Sequence, residues 1–251
     1  MILDSKDSKG AARALAVFEA FADARKPLTL TELSKGLKVP LSSCLHIMHT
    51  LVRRGYAYSL GTRRGYYPSI RMKQNTDLIA RHDPLLQHVG PILETLRTRT
   101  RETVLLAQRV DDKAVIMDVY ESPQNIRYSA QVGEMRPLYS TAIGKALLGA
   151  MKPAGLRELL GDLKLKSVTP TTITDRAQLE RHISESKARG WYSANAENVA
   201  DLFAVSAGID LDGQIFAIAV AGPIQRMKDN MDANVKALCQ AAQELSPADP
   251  S

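Results

Sequence analysis

Val39 to Arg54, VPLSSCLHIMHTLVRR, is the stretch whose reading decides the fold. Leu41, Cys44, Leu45, Ile47, Met48 and Leu51 fall largely on the i, i+3, i+4, i+7 spacing of a helix that sits on a small core. The opposite face carries Ser42, Ser43, His46, His49 and Arg53, which leaves it free to meet something else. Pro40 suits a first helical turn, where its missing N–H is not needed, and Gly55 suits the position just past the end. Taken alone, the stretch also fits a helix of any small helical domain, so its neighbours decide.

Working outward, Ala11 to Ala24 repeats Ala14, Leu15, Val17, Phe18 and Phe21 on one helical face, and Lys26-Pro27 breaks it. Thr29-Leu-Thr-Glu32 then has the spacing in which a threonine hydroxyl and a glutamate each satisfy an orphan backbone donor, starting a second helix through Leu37. Lys38 to Pro40 turn the chain into the opening helix. Two helices joined by so short a turn make a helix-turn-helix, whose second helix lies in the DNA major groove. Downstream, Tyr56 to Leu60 alternates like a strand, Gly61-Thr-Arg-Arg-Gly65 is a basic turn and Tyr66-Tyr67 begins a return strand. This predicts a wing whose Arg63 and Arg64 contact phosphate or the minor groove. Ser42, Ser43 and Arg53 suit phosphate or base-edge hydrogen bonds. His46 and His49 either read bases or are solvated, with Ser43 and His46 the expected groove-facing pair.

Charge agrees with a polyanionic partner. Residues 1–75 hold 13 Lys and Arg against 5 Asp and Glu, whereas the rest hold 20 against 22, so the net +6 originates entirely near the N-terminus. The bland alternative is a solvated basic face. His46 and His49 are spaced like a metal pair, but no third ligand lies nearby, so neither a metal nor another cofactor is expected. Cys44 and Cys239 sit far apart at apolar helical positions and are expected to be reduced. No run approaches the roughly 18 apolar residues of a membrane span. The polar Met1 to Gly10 is unlike a signal peptide, so a cytoplasmic protein without membrane association is expected.

Ser69 to Thr76 is polar and poorly patterned. From Asp77 a helical pattern resumes through Leu96, interrupted at Asp83-Pro84. This divides the chain into a DNA-binding domain over 1–76 (core 9–68), a linker helix over 77–101 and a second domain over 102–251. In the second domain Thr103–Val110, Ala114–Tyr120, Phe203–Leu211 and Ile215–Ala221 read as strands, the last two as a hairpin around Asp212-Gly213. Helices at Ala142–Met151, Pro153–Leu160, Asp175–Arg189 and Lys228–Leu245 alternate with them, which gives an α+β domain on an antiparallel sheet.

Arg127 to Ala150 (RYSAQVGEMRPLYSTAIGKALLGA), Thr169-Pro-Thr-Thr-Ile-Thr-Asp175, Arg189-Gly-Trp-Tyr192 and Asp212-Gly213 to Ala221-Gly-Pro223 follow the three helices and wing in order. Together, over about residues 9–246, they resemble the isocitrate lyase regulator (IclR) family of bacterial transcription factors. The chain departs from the family's usual pattern at His46, where an arginine is usual, at Asp201 (glycine) and at Gly208 (proline). The resemblance implies a GAF-like domain that binds a small organic acid effector. It implies a pocket at Ala142 and Ile143, with an opposite wall at Ala194, Ala204, Ala219 and Ala221 and with Tyr128 and Phe203 close by.

Ser140 and Thr141 are good caps for a helix beginning near Ala142, and a helix N-terminus offers free N–H groups to a carboxylate. Where family members binding very small acids place polar groups, this wall has alanine. An aromatic or apolar-bodied carboxylate is therefore expected, with Tyr128, Tyr139 and Asn195 as polar contacts. The bland alternative makes the alanines ordinary core packing.

The rival class is a small-molecule enzyme with an accessory basic domain. Gly144-Lys145 lacks the glycine and Ser or Thr of a phosphate loop, and G-x-S-x-G, H-E-x-x-H and C-x-x-C are all absent. His82, His88 and His182 fall on expected helices with no nucleophile patterned beside them, so no catalytic residue is assigned. A constitutive DNA binder would not need some 170 residues of near-neutral second domain. The sequence therefore predicts a ligand-responsive homo-oligomeric regulator, a dimer or dimer of dimers, on palindromic operator DNA.

Overall fold

The computed structural model describes residues 8–61 and 64–246. They form two compact units, one ending at Asp83 and the other beginning at Pro84.

The first unit contains α1 (Lys9–Ala24), α2 (Leu30–Leu37), α3 (Leu41–Arg53), β1 (Ala57–Ser59), β2 (Tyr66–Pro68) and α4 (Ile70–Arg81). Val17, Phe21, Leu33, Cys44, Met48 and Leu51 meet in its core. Helix α2 starts on the expected capping box: Glu32 N–H donates to the Thr29 hydroxyl at 3.2 Å, and Thr29 N–H donates to the Glu32 carboxylate at 2.8 Å. Lys38, in the left-handed region at φ 53°, turns the chain, and the Ser34 hydroxyl donates to Val39 O at 2.7 Å across that turn. Strands β1 and β2 pair antiparallel as the wing. Gly65 has φ +80°, and a Cβ there would stand 2.3 Å from Leu28 O. Only glycine permits the backbone bridge from Leu28 to Tyr66 that ties the wing to the α1–α2 connection.

The helix expected from Asp77 begins at Ile70, inside the stretch read as unpatterned. Helix α4 has no buried residue, so it has no apolar face for periodicity to reveal. Polar ties hold its start instead. The Ser69 hydroxyl accepts Arg71 N–H at 3.3 Å, the Arg71 guanidinium lies over the Tyr56 ring at 5.1 Å and donates to Arg54 O at 3.0 Å, and Asn75 donates to the Tyr56 hydroxyl at 2.9 Å.

The second unit runs α5 (Pro84–Thr100), β3 (Thr103–Val110), β4 (Lys113–Tyr120), β5 (Met135–Pro137), α6 (Ala142–Gly149), α7 (Pro153–Asp162), α8 (Arg176–Arg189), β6 (Tyr192–Asn195), β7 (Leu202–Leu211), β8 (Gln214–Pro223), α9 (Ile224–Asp229) and α10 (Met231–Leu245). Its strands form one antiparallel sheet, in the order β5-β4-β3-β8-β7-β6. Alternation along the strands gives the sheet two apolar faces. Val104, Leu106, Val205, Ile209, Phe216, Ile218 and Val220 pack with Val89 and Leu93 of α5 and Leu238 of α10. Leu105, Ala107, Ala217 and Ala219 face Ile143 and Leu147 of α6 and Leu179 and Ile183 of α8. The four long strands match the expected ones closely. Strands β5 and β6, of 3 and 4 residues, were not expected, being too short to display alternation. Among the described residues no helix is long and apolar enough to cross a membrane.

Candidate DNA-reading face and effector pocket

Helix α3 buries Cys44, Met48 and Leu51 and leaves Ser42, His46, His49 and Arg53 exposed, with Ser43 half-buried. The expected core face is narrower than the sequence implied. Leu41 and Leu45 are 52% and 48% exposed, because only the seam through Cys44, Met48 and Leu51 points at α1 and α2. Leu45 thus stands between Ser42 and His49 on the outward stripe, an apolar side chain that polarity alone had assigned to the core. No side chain caps the start of α3. Its first-turn N–H groups lack intrahelical partners and face the anion-attracting end of the helix dipole. On the wing, Arg64 is exposed; Arg63 lies outside the described residues.

In the second unit a small cavity opens between the sheet and the start of α6. Leu105, Ile116, Ala194, Ala204, Ala219 and Ala221 make an apolar wall, and Ser140, Thr141, Ala142 and Ile143 bring in the helix N-terminus. Strand register assembles that wall. Ala194 pairs with Ala204 and Ala204 with Ala221, so three alanines from three strands form one row. The Thr141 hydroxyl accepts Gly144 N–H at 3.1 Å and donates to Pro137 O at 2.8 Å, fixing the start of α6. Gly144 is where α6 meets the strand-to-helix connection: a Cβ there would lie 2.4 Å from Leu138 backbone.

Two charged residues that sequence reasoning missed line the same cavity, Arg136 and Glu197. Glu197 is 7% exposed and pairs through Oε1 with Lys145, which is fully buried, at 2.6 Å. Lys145 also donates to Ser193 O at 3.2 Å. Burial pushes the Glu197 carboxyl up and the Lys145 amine down, and their contact opposes both shifts. Glu197 Oε2 and Arg136 Nε are buried atoms without a protein hydrogen-bond partner, although Ile173 and Asn195 N–H lie near enough to the Glu197 carboxyl to pull it back down. The 195–197 backbone is pinned from Thr169-Pro-Thr-Thr172. The Thr169 hydroxyl donates to Ala196 O at 2.6 Å and the Thr172 hydroxyl to Glu197 O at 2.7 Å. Arg136 also reaches Glu134 at 2.8 Å. Glu197 lies in a polar turn and Arg136 among mixed residues. No spacing marked either.

Of the residues expected at the pocket, Tyr128, Ala142, Ile143, Ala204, Ala219 and Ala221 line it, as does Ala194. Three do not. Phe203 neighbours Ala204 along β7 and therefore points to the opposite face, where it packs with the α5 and α10 side of the core. Asn195 alternates with Ala194 in the same way and is exposed. Tyr139 is buried, and its hydroxyl donates to Lys166 O at 2.9 Å and accepts Lys166 N–H at 3.2 Å, which commits it to the segment after α7. His182, on α8, is held down to about 4 by burial, then by the nearby Lys145 and Arg189 charges.

A winged helix-turn-helix joined to an antiparallel-sheet domain with a pocket at a helix N-terminus defines a ligand-responsive DNA-binding regulator. Family models describe which one. The IclR helix-turn-helix domain matches residues 10–61, and the bacterial transcriptional regulator IclR C-terminal domain matches 78–247. The chain belongs to the IclR family of transcriptional regulators. It is 30% identical over 246 residues to the HTH-type transcriptional regulator BhcR of Paracoccus denitrificans, covering 97% of this chain and 88% of that one. It is 30% identical over 208 residues to the Pca regulon regulatory protein of Pseudomonas putida, covering 82% and 71%. A crystal structure of an IclR homolog from Microbacterium hydrocarbonoxydans, complexed with 4-hydroxybenzoate, superposes with a TM-score of 0.76 at 21% identity, covering 94% and 99%.

Proposed function

We propose that this regulator senses a small aromatic carboxylate and acts through it on palindromic operator DNA, as a homo-oligomer in the cytoplasm and without catalysing a reaction. The pocket wall carries this reading. Ala194, Ala204, Ala219 and Ala221 offer no side-chain hydrogen bond, while the α6 N-terminus and Arg136 offer donors for one anionic group. A very polar acid leaves groups unmatched against such a wall, at about 1–3 kcal/mol each. An apolar ring does not. The 4-hydroxybenzoate held by the homolog of the same fold, and the relatedness to a Pca regulon regulator, support the choice of ligand class.

On the DNA side, Ser42, Ser43, His46, His49 and Arg53 serve as the groove-facing set of α3, with Arg63 and Arg64 on the wing for the backbone. Leu45 joins them as an apolar contact suited to a thymine methyl. Leu78 and Ile79 are 58% and 71% exposed near the end of α4, apolar side chains that a second copy covers in the homo-oligomer. Effector binding changes DNA affinity by no more than the ligand's preference between the two states of the heads. Titration calorimetry with benzoate-type and pyruvate-type acids tests the ligand class. The expected result is binding of benzoate-type acids; tight pyruvate binding with no aromatic binding overturns it.

A further inference from the structure

Two residues that line the pocket each keep a buried polar atom outside any hydrogen bond of normal length: Arg136 Nε, a donor, and Glu197 Oε2, an acceptor, with only the Ile173 and Asn195 N–H groups near the Glu197 carboxyl. A simple benzoate answers only the first. Its carboxylate accepts from Arg136 and from the first-turn N–H groups of α6, and its ring covers the alanine row, but it brings no donor for Glu197. Glu197 cannot turn away to solvent, because Lys145 holds its other oxygen at 2.6 Å and the Thr172 hydroxyl fixes its backbone. The Lys145 charge, itself fully buried, keeps a carboxylate tolerable beside an anionic ligand. A buried acceptor left unmatched is destabilising, whereas a hydrogen bond to a charged acceptor is among the stronger ones.

Building on the effector reading above, we infer that Glu197 is a specificity-determining residue that accepts a hydrogen bond from a hydroxyl on the ring of the effector, which makes the ligand class hydroxylated aromatic acids rather than aromatic acids at large. Lys145 positions Glu197 and does not touch the ligand. The Gly144-Lys145 pair, which fails as a phosphate loop, thereby acquires a use: the glycine lets α6 approach Leu138, and the lysine holds the acceptor.

The test is calorimetric titration of the full chain with benzoate, its three monohydroxy isomers and the methyl ether of each isomer. At least one hydroxybenzoate is expected to bind about 10- to 100-fold more tightly than benzoate and than its own methyl ether. Glu197→Ala should erase that preference, so that each hydroxybenzoate binds no better than its own methyl ether, and Arg136→Gln should weaken all the acids together. The ligand series on the unaltered protein decides the matter even if the Glu197 variant fails to fold. Benzoate, all three isomers and their ethers binding within about twofold of one another would overturn the role of Glu197 and leave the aromatic-acid reading standing. Binding of none of them would overturn both.

Discussion

The proposed DNA-reading face and the proposed effector pocket place their candidate side chains in opposite environments. Helix α3 presents Ser42, Leu45, His46, His49 and Arg53 to solvent above a core seam of Cys44, Met48 and Leu51. The pocket uses groups withdrawn from water: the alanine row, Gly144, and the Lys145–Glu197 pair. On the first surface, function is separable from folding. In the second, the groups that would recognise a ligand also hold the domain together.

The strongest way to break that contrast is Lys145→Met. Removing one partner of a buried ion pair strands the other, so the substitution is expected to destabilise the second unit by about 3–5 kcal/mol in denaturant unfolding. An unchanged midpoint would mean the pair is not structural. Gly144→Ala comes next. Its Cβ has no room beside Leu138, and about 1–3 kcal/mol of destabilisation is expected. His46→Ala and Leu45→Ala, by contrast, should keep stability within about 0.5 kcal/mol while lowering discrimination between operator bases by about 1–3 kcal/mol in competition binding. A large loss of stability in either would erase the distinction. Arg64→Ala should weaken all DNA sequences alike and reduce the slope of log affinity against log salt by about one; an unchanged slope removes Arg64 from the interface.

The gentlest probe is pH. Lys26, then the Thr29 backbone N–H and hydroxyl, hold the Glu32 carboxyl down from 4.5 to about 2. A depressed carboxylate stabilises the fold when ionised. The α2 capping box therefore contributes fully above pH 4.5, and its contribution fades as pH falls toward about 2. Thr29→Ala should blunt that acid dependence in a pH series of thermal melts.

The same contrast explains what the sequence made legible. The capping box at Thr29, the turn through Lys38, the wing and the four long strands each carry a local signature in spacing or residue type. The start of α4 carries none, since that helix buries nothing and is held by Arg71, Ser69 and Asn75. At the pocket the alanine row was reached by family resemblance, and strand alternation then separates Ala204 from Phe203 and Ala194 from Asn195. Glu197 meets Lys145 across 52 residues, a partnership that only tertiary structure creates. Leu45 departs from its sequence pattern for a related reason. Its hydrophobicity suggested the core, but α3 touches α1 and α2 along a seam too narrow to include it.

The most direct test of the account is a titration of the protein onto its own upstream intergenic DNA, by gel shift or fluorescence anisotropy, with and without a panel of aromatic and aliphatic carboxylates. Sequence-specific binding whose affinity is shifted by a hydroxylated aromatic acid, and not by pyruvate-type acids, is the predicted result. Specific binding that no acid alters would contradict the link between pocket and operator on which the account rests.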